Sequence, residues 1–272
     1  MELTKVLYVS QEIDPYISTS PLALYGRSLA QTIQEKGAEV RTFMPKYGNI
    51  NERRNQLHEV IRLSGVNIII DDNDHPLVIK VATLLPSRLQ VYFIDNDDYF
   101  MRHPSGQPDT VHTPELNDER AMFFVRGTAE TVRKLRWTPS VVHCIGWMAA
   151  LTPLYLKTYL ADDPVFASSK VVYSLVADHG SATMPADMSL DSRMIEKLRA
   201  DGFTDENLAT LGTTPDSRAL QRLAIDFADA IAVADENVDP DLIAYAKASG
   251  KPVLEYSGEY DGDSYYEFYR SL

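Results

Sequence analysis

Cysteine, long apolar runs and positive charge are all scarce in this sequence of 272 residues. The single cysteine, Cys144, has no partner for an internal disulfide, so nothing in the composition requires an oxidising compartment. No apolar run approaches the roughly 18 residues that a membrane-spanning helix needs, and the polar N-terminus does not have the pattern of a signal peptide. We therefore expect a cytoplasmic protein with no membrane partner.

The charge balance argues against a second class of partner. The chain has 39 Asp and Glu residues against 26 Lys and Arg, which gives a formal net charge of −13. Nucleic acids and anionic membrane surfaces bind proteins through a basic patch or stripe, and this composition does not favour one. We expect no nucleic-acid partner.

Common cofactor, catalytic and metal-binding motifs are missing as well. The chain contains no G-x-G-x-x-G, no G-x-x-x-x-G-K-[ST], no G-x-S-x-G and no H-E-x-x-H. The six histidines have no second ligand at metal spacing, and the acidic runs at residues 71–74 and 95–98 lack the glycine and distal glutamate of a calcium loop. We interpret both runs as solvated turns and expect neither a metal nor a cofactor.

Strand and helix patterns alternate along the chain. Residues 5–10 are almost continuously apolar, as in a buried strand. Ser20 and Pro21 suit the N-cap and first position of a helix, whose apolar residues recur at spacings of three and four before Gly37. The alternation continues to residue 256, so the sequence predicts an α/β fold with a mainly parallel sheet flanked by helices on both faces.

One stretch departs from this alternation. Residues 66–70, 78–84 and 91–94 have strand patterns with no long helix between them, and residues 71–76 have the composition of a turn. We expect these residues to add antiparallel strands at the edge of the sheet. The other expected elements in this part of the chain are a mobile loop at residues 101–117, a helix at 118–136 capped by Asn117, and a helix at 147–159.

The last residues are rich in aromatic side chains. Residues 259–272 include four tyrosines and one phenylalanine, most of which would share one face of a terminal helix. We expect a tail at about residues 257–272 that docks on its own domain, and a tail that binds a partner stays open as the alternative. Residues 1–272 are interpreted as a single domain, because no repeat, low-complexity tract or linker divides them.

Three blocks of sequence carry a resemblance to a known family. Residues 5–48 contain a strand, a Ser/Ala-Glu-x-x-Pro turn, a loop, a helix and the ending V-R-x-x-x-P-x-Y-G. Residues 92–100, YFIDNDDYF, and the helix–strand–helix block at residues 117–157 follow in the same order. Together with residues 227–234, these blocks resemble the N-terminal half of bacterial glycogen and starch synthases, over roughly residues 4–235.

The resemblance implies a Rossmann-like N-terminal domain of the two-domain glycosyltransferase architecture called GT-B. In that family ADP-glucose lies in the cleft between two such domains, and glucose passes to the non-reducing end of an α-1,4-glucan with retention of configuration and without a metal. The C-terminal domain supplies most donor contacts. Since this sequence ends about where that domain would begin, the expected partners are an α-glucan or a separate protein that carries the C-terminal domain.

The segment that matches the family's diphosphate loop lacks the groups that bind an anion. The family's Lys-Thr-Gly-Gly-Leu-Ala-Asp is here Ser-Thr-Ser-Pro-Leu-Ala-Leu at residues 18–24. A lysine offers charge to a diphosphate, and two glycines let backbone N–H groups approach it at a helix N-terminus. Here Ser18 replaces the lysine, and Pro21 removes an N–H donor.

The family's His-x-His-Asp-Trp-His motif is also altered, at residues 143–148. Met148 stands where the family has the histidine that contacts the transferred sugar, and Gly146 stands where it has aspartate. The family's Ile-His-Asn after the next strand is replaced at residues 175–177 by Leu-Val-Ala. No catalytic residue is predicted, and the candidate substrate-binding residues at matching positions are Glu12, Ser18, Thr19, Tyr99 and Trp147. For Trp147, packing under the helix start is the alternative, and for Glu12 a structural role stays equally open.

Two functions remain as hypotheses. The first is one half of a glycogen/starch-synthase-like glycosyltransferase, inactive alone and working with a C-terminal domain on another chain. The second is a non-catalytic glucan-binding or regulatory protein that retains the scaffold, which the replaced site residues favour.

The altered diphosphate loop leads to a first prediction. We expect ADP-glucose to bind the purified chain with a dissociation constant weaker than about 1 mM, or about −4 kcal/mol. Charge-assisted hydrogen bonds of the kind that hold phosphates each contribute about 1.5–3 kcal/mol, and Ser18 and Pro21 remove at least two such contacts. Calorimetric titration with ADP-glucose and ADP measures this, with a full-length glycogen synthase as the positive control. Micromolar binding of ADP would contradict the prediction.

Overall fold

The computed structural model describes residues 3–17, 20–101, 116–177, 190, 193–258 and 261–272. Within these residues ten strands form one mixed sheet, in the order β10-β9-β8-β7-β1-β2-β6-β5-β3, with β4 paired to β5. The strands are β1 (Lys5–Ser10), β2 (Glu39–Pro45), β3 (His58–Glu59), β4 (Val66–Ile70), β5 (Asn73–Leu84), β6 (Leu89–Asp95), β7 (Val141–Ile145), β8 (Lys170–Leu175), β9 (Ala230–Val233) and β10 (Val253–Leu254). The helices are α1 (Pro21–Glu35), α2 (Asn117–Leu135), α3 (Thr152–Lys157), α4 (Met194–Ala200), α5 (Asp205–Leu208), α6 (Ser217–Phe227), α7 (Pro240–Ala248) and α8 (Gly262–Ser271).

The centre of the sheet is parallel and buried on both faces. β1 pairs in parallel with β2 on one side and β7 on the other, and β7, β8, β9 and β10 continue the parallel arrangement. Five of the six residues of β1 and all of β7 are buried, which agrees with their near-continuous apolar sequence. The predicted α/β fold with a mainly parallel sheet is therefore confirmed.

The antiparallel strands after β2 are also confirmed, but the predicted turn at residues 71–76 is too long. Asp71 and Asp72 both have positive φ, of 49° and 62°, and they alone form the turn. A two-residue turn with positive φ at both positions matches the right-handed twist of the strands that it joins. As a result β5 begins at Asn73, five residues before the predicted start at residue 78.

The interpretation of residues 95–98 as a solvated turn is wrong for its first two residues. Asp95 and Asn96 are only 3% and 2% exposed. The carboxylate of Asp95 pairs with Nζ of Lys80 at 2.7 Å, and the amide oxygen of Asn96 accepts hydrogen bonds from the backbone N–H groups of Asp98 and Tyr99. The polar side chains here anchor the end of β6 to its surroundings.

Two helix starts also differ from prediction. Asn117 is the first residue of α2 and not its cap, because Leu116 precedes it with φ of 55° and no side chain caps the helix. Trp147–Ala149 is a separate 3₁₀ turn, and α3 begins only at Thr152. Of the loop predicted at 101–117, residues 102–115 lie outside the described residues.

Helices cover both faces of the sheet, but unequally. The right-handed crossovers that step from β6 to β7 and on to β10 place α2, α3, α6 and α7 on one face. The β1-to-β2 crossover runs in the opposite direction across the sheet, so it places α1 on the other face. α8 packs beside α1 and covers that face over β7 and β8.

α8 is held to the sheet by buried hydrogen bonds. The hydroxyl of Tyr269 bonds to Nδ1 of His143 and, at 3.2 Å, to the hydroxyl of Tyr8. On the other side of the imidazole, Nε2 bonds to Oγ of Ser174 at 2.6 Å. Burial lowers the pKa of His143 to about 3, so its ring is neutral and offers one donor and one acceptor to these partners. No helix in the described ranges is both long and apolar enough to cross a bilayer.

The docking of α8 gives a second prediction. Tyr269→Phe should lower the free energy of unfolding by about 1–3 kcal/mol, because it leaves Nδ1 of His143 buried without its partner. Urea denaturation measures the change. Tyr266→Phe on the same helix is the control, since that ring is half-buried and packs against Lys36, and it should change stability by less than about 0.5 kcal/mol. Equal losses from both variants would show that the buried hydrogen bond is not what fixes α8.

Candidate functional site

A groove lies at the edge of the sheet where β8 and β9 end and α1 begins. Ligands of open α/β sheets bind in crevices outside the carboxyl ends of the strands, so this edge is the expected location of a site. The groove has a volume of about 280 Å³. It is lined by Pro21, Leu22, Leu24, Tyr25, Ser28, Val176, Ala177, Ala234, Asp235 and Tyr256.

The lining of the groove is mostly apolar and aromatic. Leu24 is 52% exposed at its mouth, although leucine on an amphipathic helix normally faces the core. Among the described residues that line the groove, none is lysine or arginine, and Asp235 is the only charged one. The Asp235 carboxylate accepts hydrogen bonds from the backbone and side-chain N–H groups of Asn237 at 2.7 and 3.1 Å. A neutral ligand with apolar surface fits such a lining better than a diphosphate.

The start of α1 has few donors left for an anion. Oγ of Ser20 accepts a hydrogen bond from the N–H of Ala23 at 3.3 Å, and Pro21 has no N–H to donate. The N–H of Leu24 is already bonded to the carbonyl of Ser20. Two of the predicted substrate-binding residues, Ser18 and Thr19, lie outside the described residues.

Glu12 lies below this helix start and is completely buried. Nε2 of Gln11 donates to its carboxylate at 3.0 Å, and Ser20 also hydrogen-bonds to it. Burial raises the pKa of Glu12, and these hydrogen bonds oppose the rise only in part. The α1 helix approaches closely here at Gly26, where a Cβ would lie 3.2 Å from the Glu12 carbonyl oxygen. Glu12 therefore lies inside the junction between β1 and α1 and is not among the groove-lining residues.

The altered motif after β7 is closed by packing. Trp147 is 3% exposed and Met148 is fully buried. Gly146 has φ of 85°, and a Cβ on it would lie 2.8 Å from the side chain of Gln11. The side chain of Gln11 thus occupies space that any larger residue at position 146 would need. The two replaced positions, 146 and 148, belong to a repacked interior.

Tyr99 belongs to a different buried cluster. Its hydroxyl bonds to Nε2 of His75 at 2.8 Å and to the carboxylate of Glu119 at 2.9 Å. Nζ of Lys197 bonds to the carboxylates of Asp118 and Glu119 at 2.7 and 2.6 Å. Burial, followed by the nearby charge of Glu119, raises the pKa of Tyr99 well above its usual range. The contact between Gln11 and Gly146 thus brings together the two segments that carry Glu12 and Trp147, whereas Tyr99 lies in the separate cluster with His75 and Glu119.

Sequence reasoning missed two aromatic residues of the groove. Tyr25 follows the helical spacing of α1, so its position indicated only a core residue. Its hydroxyl bonds to Oγ of Ser174 at 2.9 Å and donates to the hydroxyl of Tyr265 at 2.8 Å, which fixes the ring at the groove. Tyr256 follows β10, where the strand and helix patterns predicted from the sequence end. For Tyr256, an aromatic residue just after a predicted strand was the available signal.

The fold and the groove together define a Rossmann-like α/β domain with a ligand crevice at the carboxyl ends of its parallel strands. The model of the family described as starch synthase catalytic domain matches residues 5–246. The chain belongs to this family, and the resemblance noted from its sequence is confirmed.

Relatives and solved structures agree with this assignment. The glycogen synthase of Chlorobium limicola is 41% identical over 174 residues, which are 63% of this chain and 35% of that protein. The glycogen synthase of Chlorobaculum tepidum is 36% identical over 232 residues, 82% of this chain and 48% of that protein. The catalytic domain of starch synthase IV from Arabidopsis thaliana, bound to ADP and acarbose, has the same fold, with a TM-score of 0.72 at 18% identity, over 97% of this chain and 53% of that one. The chain therefore spans about a third to a half of the length of these curated relatives.

The burial of Glu12 gives a third prediction. Because its pKa in the folded protein is raised above the usual 4.5, the folded state holds the proton more tightly, and stability falls as the pH rises from 4.5 towards the raised value. Glu12→Gln keeps an acceptor and removes the buried charge. Its stability relative to wild type should therefore grow as the pH rises from 4 to 7.

Urea denaturation at several pH values measures this difference. The matched control is Glu35→Gln, which makes the same change at the exposed last residue of α1 and should stay within about 0.5 kcal/mol of wild type throughout. A loss of stability in Glu12→Gln at pH 7 would mean that the ionised carboxylate holds the junction together.

Proposed function

We propose that this chain is a member of the starch synthase family that binds an α-glucan in the groove and does not by itself transfer glucose. The observation that carries the proposal is the lining of the groove, which combines apolar and aromatic side chains with no cationic one among the described residues. A sugar chain offers hydroxyl groups and apolar ring faces, and it has no charge that would need a cation. A nucleoside diphosphate would need charge-assisted hydrogen bonds.

The interior behind the groove supports the same proposal. Glucosyl transfer requires donor and acceptor to be held in a near-attack position, together with groups that stabilise charge as the sugar–phosphate bond breaks. Met148 stands where the resemblance places a sugar-contacting histidine, and it is fully buried. The space beside Gly146 is filled by Gln11. Neither position offers a polar side chain to a sugar.

A second candidate is one half of a divided glycosyltransferase. It is supported by the extent of the structural match, which covers 97% of this chain but 53% of the starch synthase IV catalytic domain. A C-terminal domain, whether it continues this sequence or belongs to a separate protein, would then supply the facing wall and the donor contacts.

The fourth prediction concerns activity. The purified chain should incorporate no detectable radiolabelled glucose from ADP-glucose into glycogen, because loss of one preorganised charge-stabilising donor already removes about 3–4 kcal/mol and several are missing here. The assay is run with and without lysate of the native organism. Turnover by the pure chain would refute the proposal, and turnover that requires both chain and lysate would favour the divided enzyme.

Glucan binding is tested separately, by calorimetric titration with maltoheptaose. Leu24→Asp places a charge at the mouth of the groove and should weaken binding at least about fivefold, the equivalent of about 1 kcal/mol. Ile61→Asp is the matched control, since Ile61 is 79% exposed and does not line the groove. If the two variants bind equally well, the glucan does not lie in this groove.

A further inference from the structure

Tyr25 and Tyr256 are the aromatic side chains among the described residues that line the groove, and they are held in different ways. The hydroxyl of Tyr256 donates to the carbonyl of Gly258, two residues further along the chain, at 2.9 Å. The hydroxyl of Tyr25 bonds to Ser174 on β8 at 2.9 Å and to Tyr265 on α8 at 2.8 Å. Two elements that are distant in the sequence therefore fix the position of the Tyr25 ring.

The hydrogen bonds around Tyr25 have one direction, because each hydroxyl has a single proton to donate. Tyr25 donates its proton to Tyr265, so its bond to Ser174 must use the proton of Ser174. Oγ of Ser174 must then accept from Nε2 of His143, at 2.6 Å. Nδ1 of the same ring is left as an acceptor, and the hydroxyl of Tyr269 donates to it. The neutral imidazole of His143 therefore has its proton on Nε2.

This chain of bonds begins and ends on α8, which contributes both Tyr269 and Tyr265. The rings are packed as well as bonded. The centroids of Tyr25 and Tyr265 are 5.9 Å apart, edge to face, and the Tyr265 ring stacks on the imidazole of His143 with centroids 6.0 Å apart. Burial raises the pKa of Tyr25 and Tyr269 well above the usual range, so both hydroxyls keep the protons that the chain requires. A rotation of the Tyr25 ring would break a bond that also docks α8.

A binding site gains affinity when its side chains are already fixed in the bound arrangement, because less ordering takes place on binding. We propose that a sugar unit of the glucan packs on the ring of Tyr25, and that Tyr265 is a positioning residue that holds this ring for binding. The proposal rests on the glucan binding proposed above, and it adds that the affinity of the groove depends on α8. Tyr265 lines only a recess of about 50 Å³ beside the groove, far smaller than small-molecule sites, so its hydroxyl acts through Tyr25.

A double-mutant cycle, titrated calorimetrically with maltoheptaose, tests the positioning. Tyr25→Phe and Tyr265→Phe each keep a ring and remove one partner of the same hydrogen bond, so each should weaken binding at least about threefold. Because the second change breaks no further bond between the two residues, the double variant should bind as Tyr25→Phe does. Tyr25→Ala removes the ring itself and should weaken binding at least about tenfold.

Tyr266→Phe is the matched control for Tyr265→Phe. It makes the same change at the next position of α8, where the ring packs against Lys36 and lines neither the groove nor the recess. It should bind maltoheptaose as wild type does. An equal loss of affinity in both variants would overturn the proposal, because any change in α8 would then have the same effect.

Comparison with Leu24→Asp separates this inference from the proposed function. Weaker binding in Leu24→Asp, Tyr25→Phe and Tyr265→Phe, with a double variant that matches Tyr25→Phe, supports the positioning. Losses that multiply in the double variant would overturn it, because Tyr265 would then act on the glucan independently of Tyr25. Wild-type affinity in Tyr265→Phe or in Tyr25→Ala, with Leu24→Asp weakened, would overturn it and leave the groove as the glucan site. Absence of maltoheptaose binding to wild type at millimolar concentration overturns both.

Discussion

The structure depends on α8, because this helix buries the face of β7 and β8 that lies opposite α2, α3, α6 and α7. A parallel sheet is stable only when both faces are covered, and among the described crossover helices α1 alone lies on this side. Tyr269 completes the layer through its bonds to His143 and Tyr8. The same helix carries Tyr265, which accepts the hydrogen bond of Tyr25 and so holds that ring in the wall of the groove. Sheet, tail and groove are thus parts of one packed arrangement.

Most of the fold could be predicted from the sequence because its strands are apolar along their whole length and its helices have a clear period. The prediction of β1 matched its limits, since every residue from Val6 to Ser10 is buried. The predicted limits of the elements were wrong where the backbone conformation of a few residues decided where a strand or turn ends. Asp71 and Asp72 adopt positive φ and turn the chain in two residues. The cluster of acidic and amide side chains indicates a turn here but does not indicate how short it is.

The candidate site could be predicted only in part. The resemblance pointed to the edge of the sheet at which the groove lies, and it identified the replaced residues. It could not show that Gln11 fills the space beside Gly146, because that contact joins residues 135 positions apart and depends on a backbone with φ of 85°. Nor could spacing separate Tyr25 from the core residues of α1, since a ring at the end of a helix can serve the interior and the groove together.

The bond between Tyr8 and Tyr269 joins residues that are 261 positions apart. During synthesis β1 leaves the ribosome long before α8, so the tyrosine and histidine on this face of the sheet have no cover for most of translation. Contacts of such long range form late and slow the folding of a domain. Until α8 arrives, the nascent chain presents an incomplete apolar face of the kind that chaperones recognise and that promotes aggregation. The arrival of α8 therefore sets the moment at which this face of the sheet is covered.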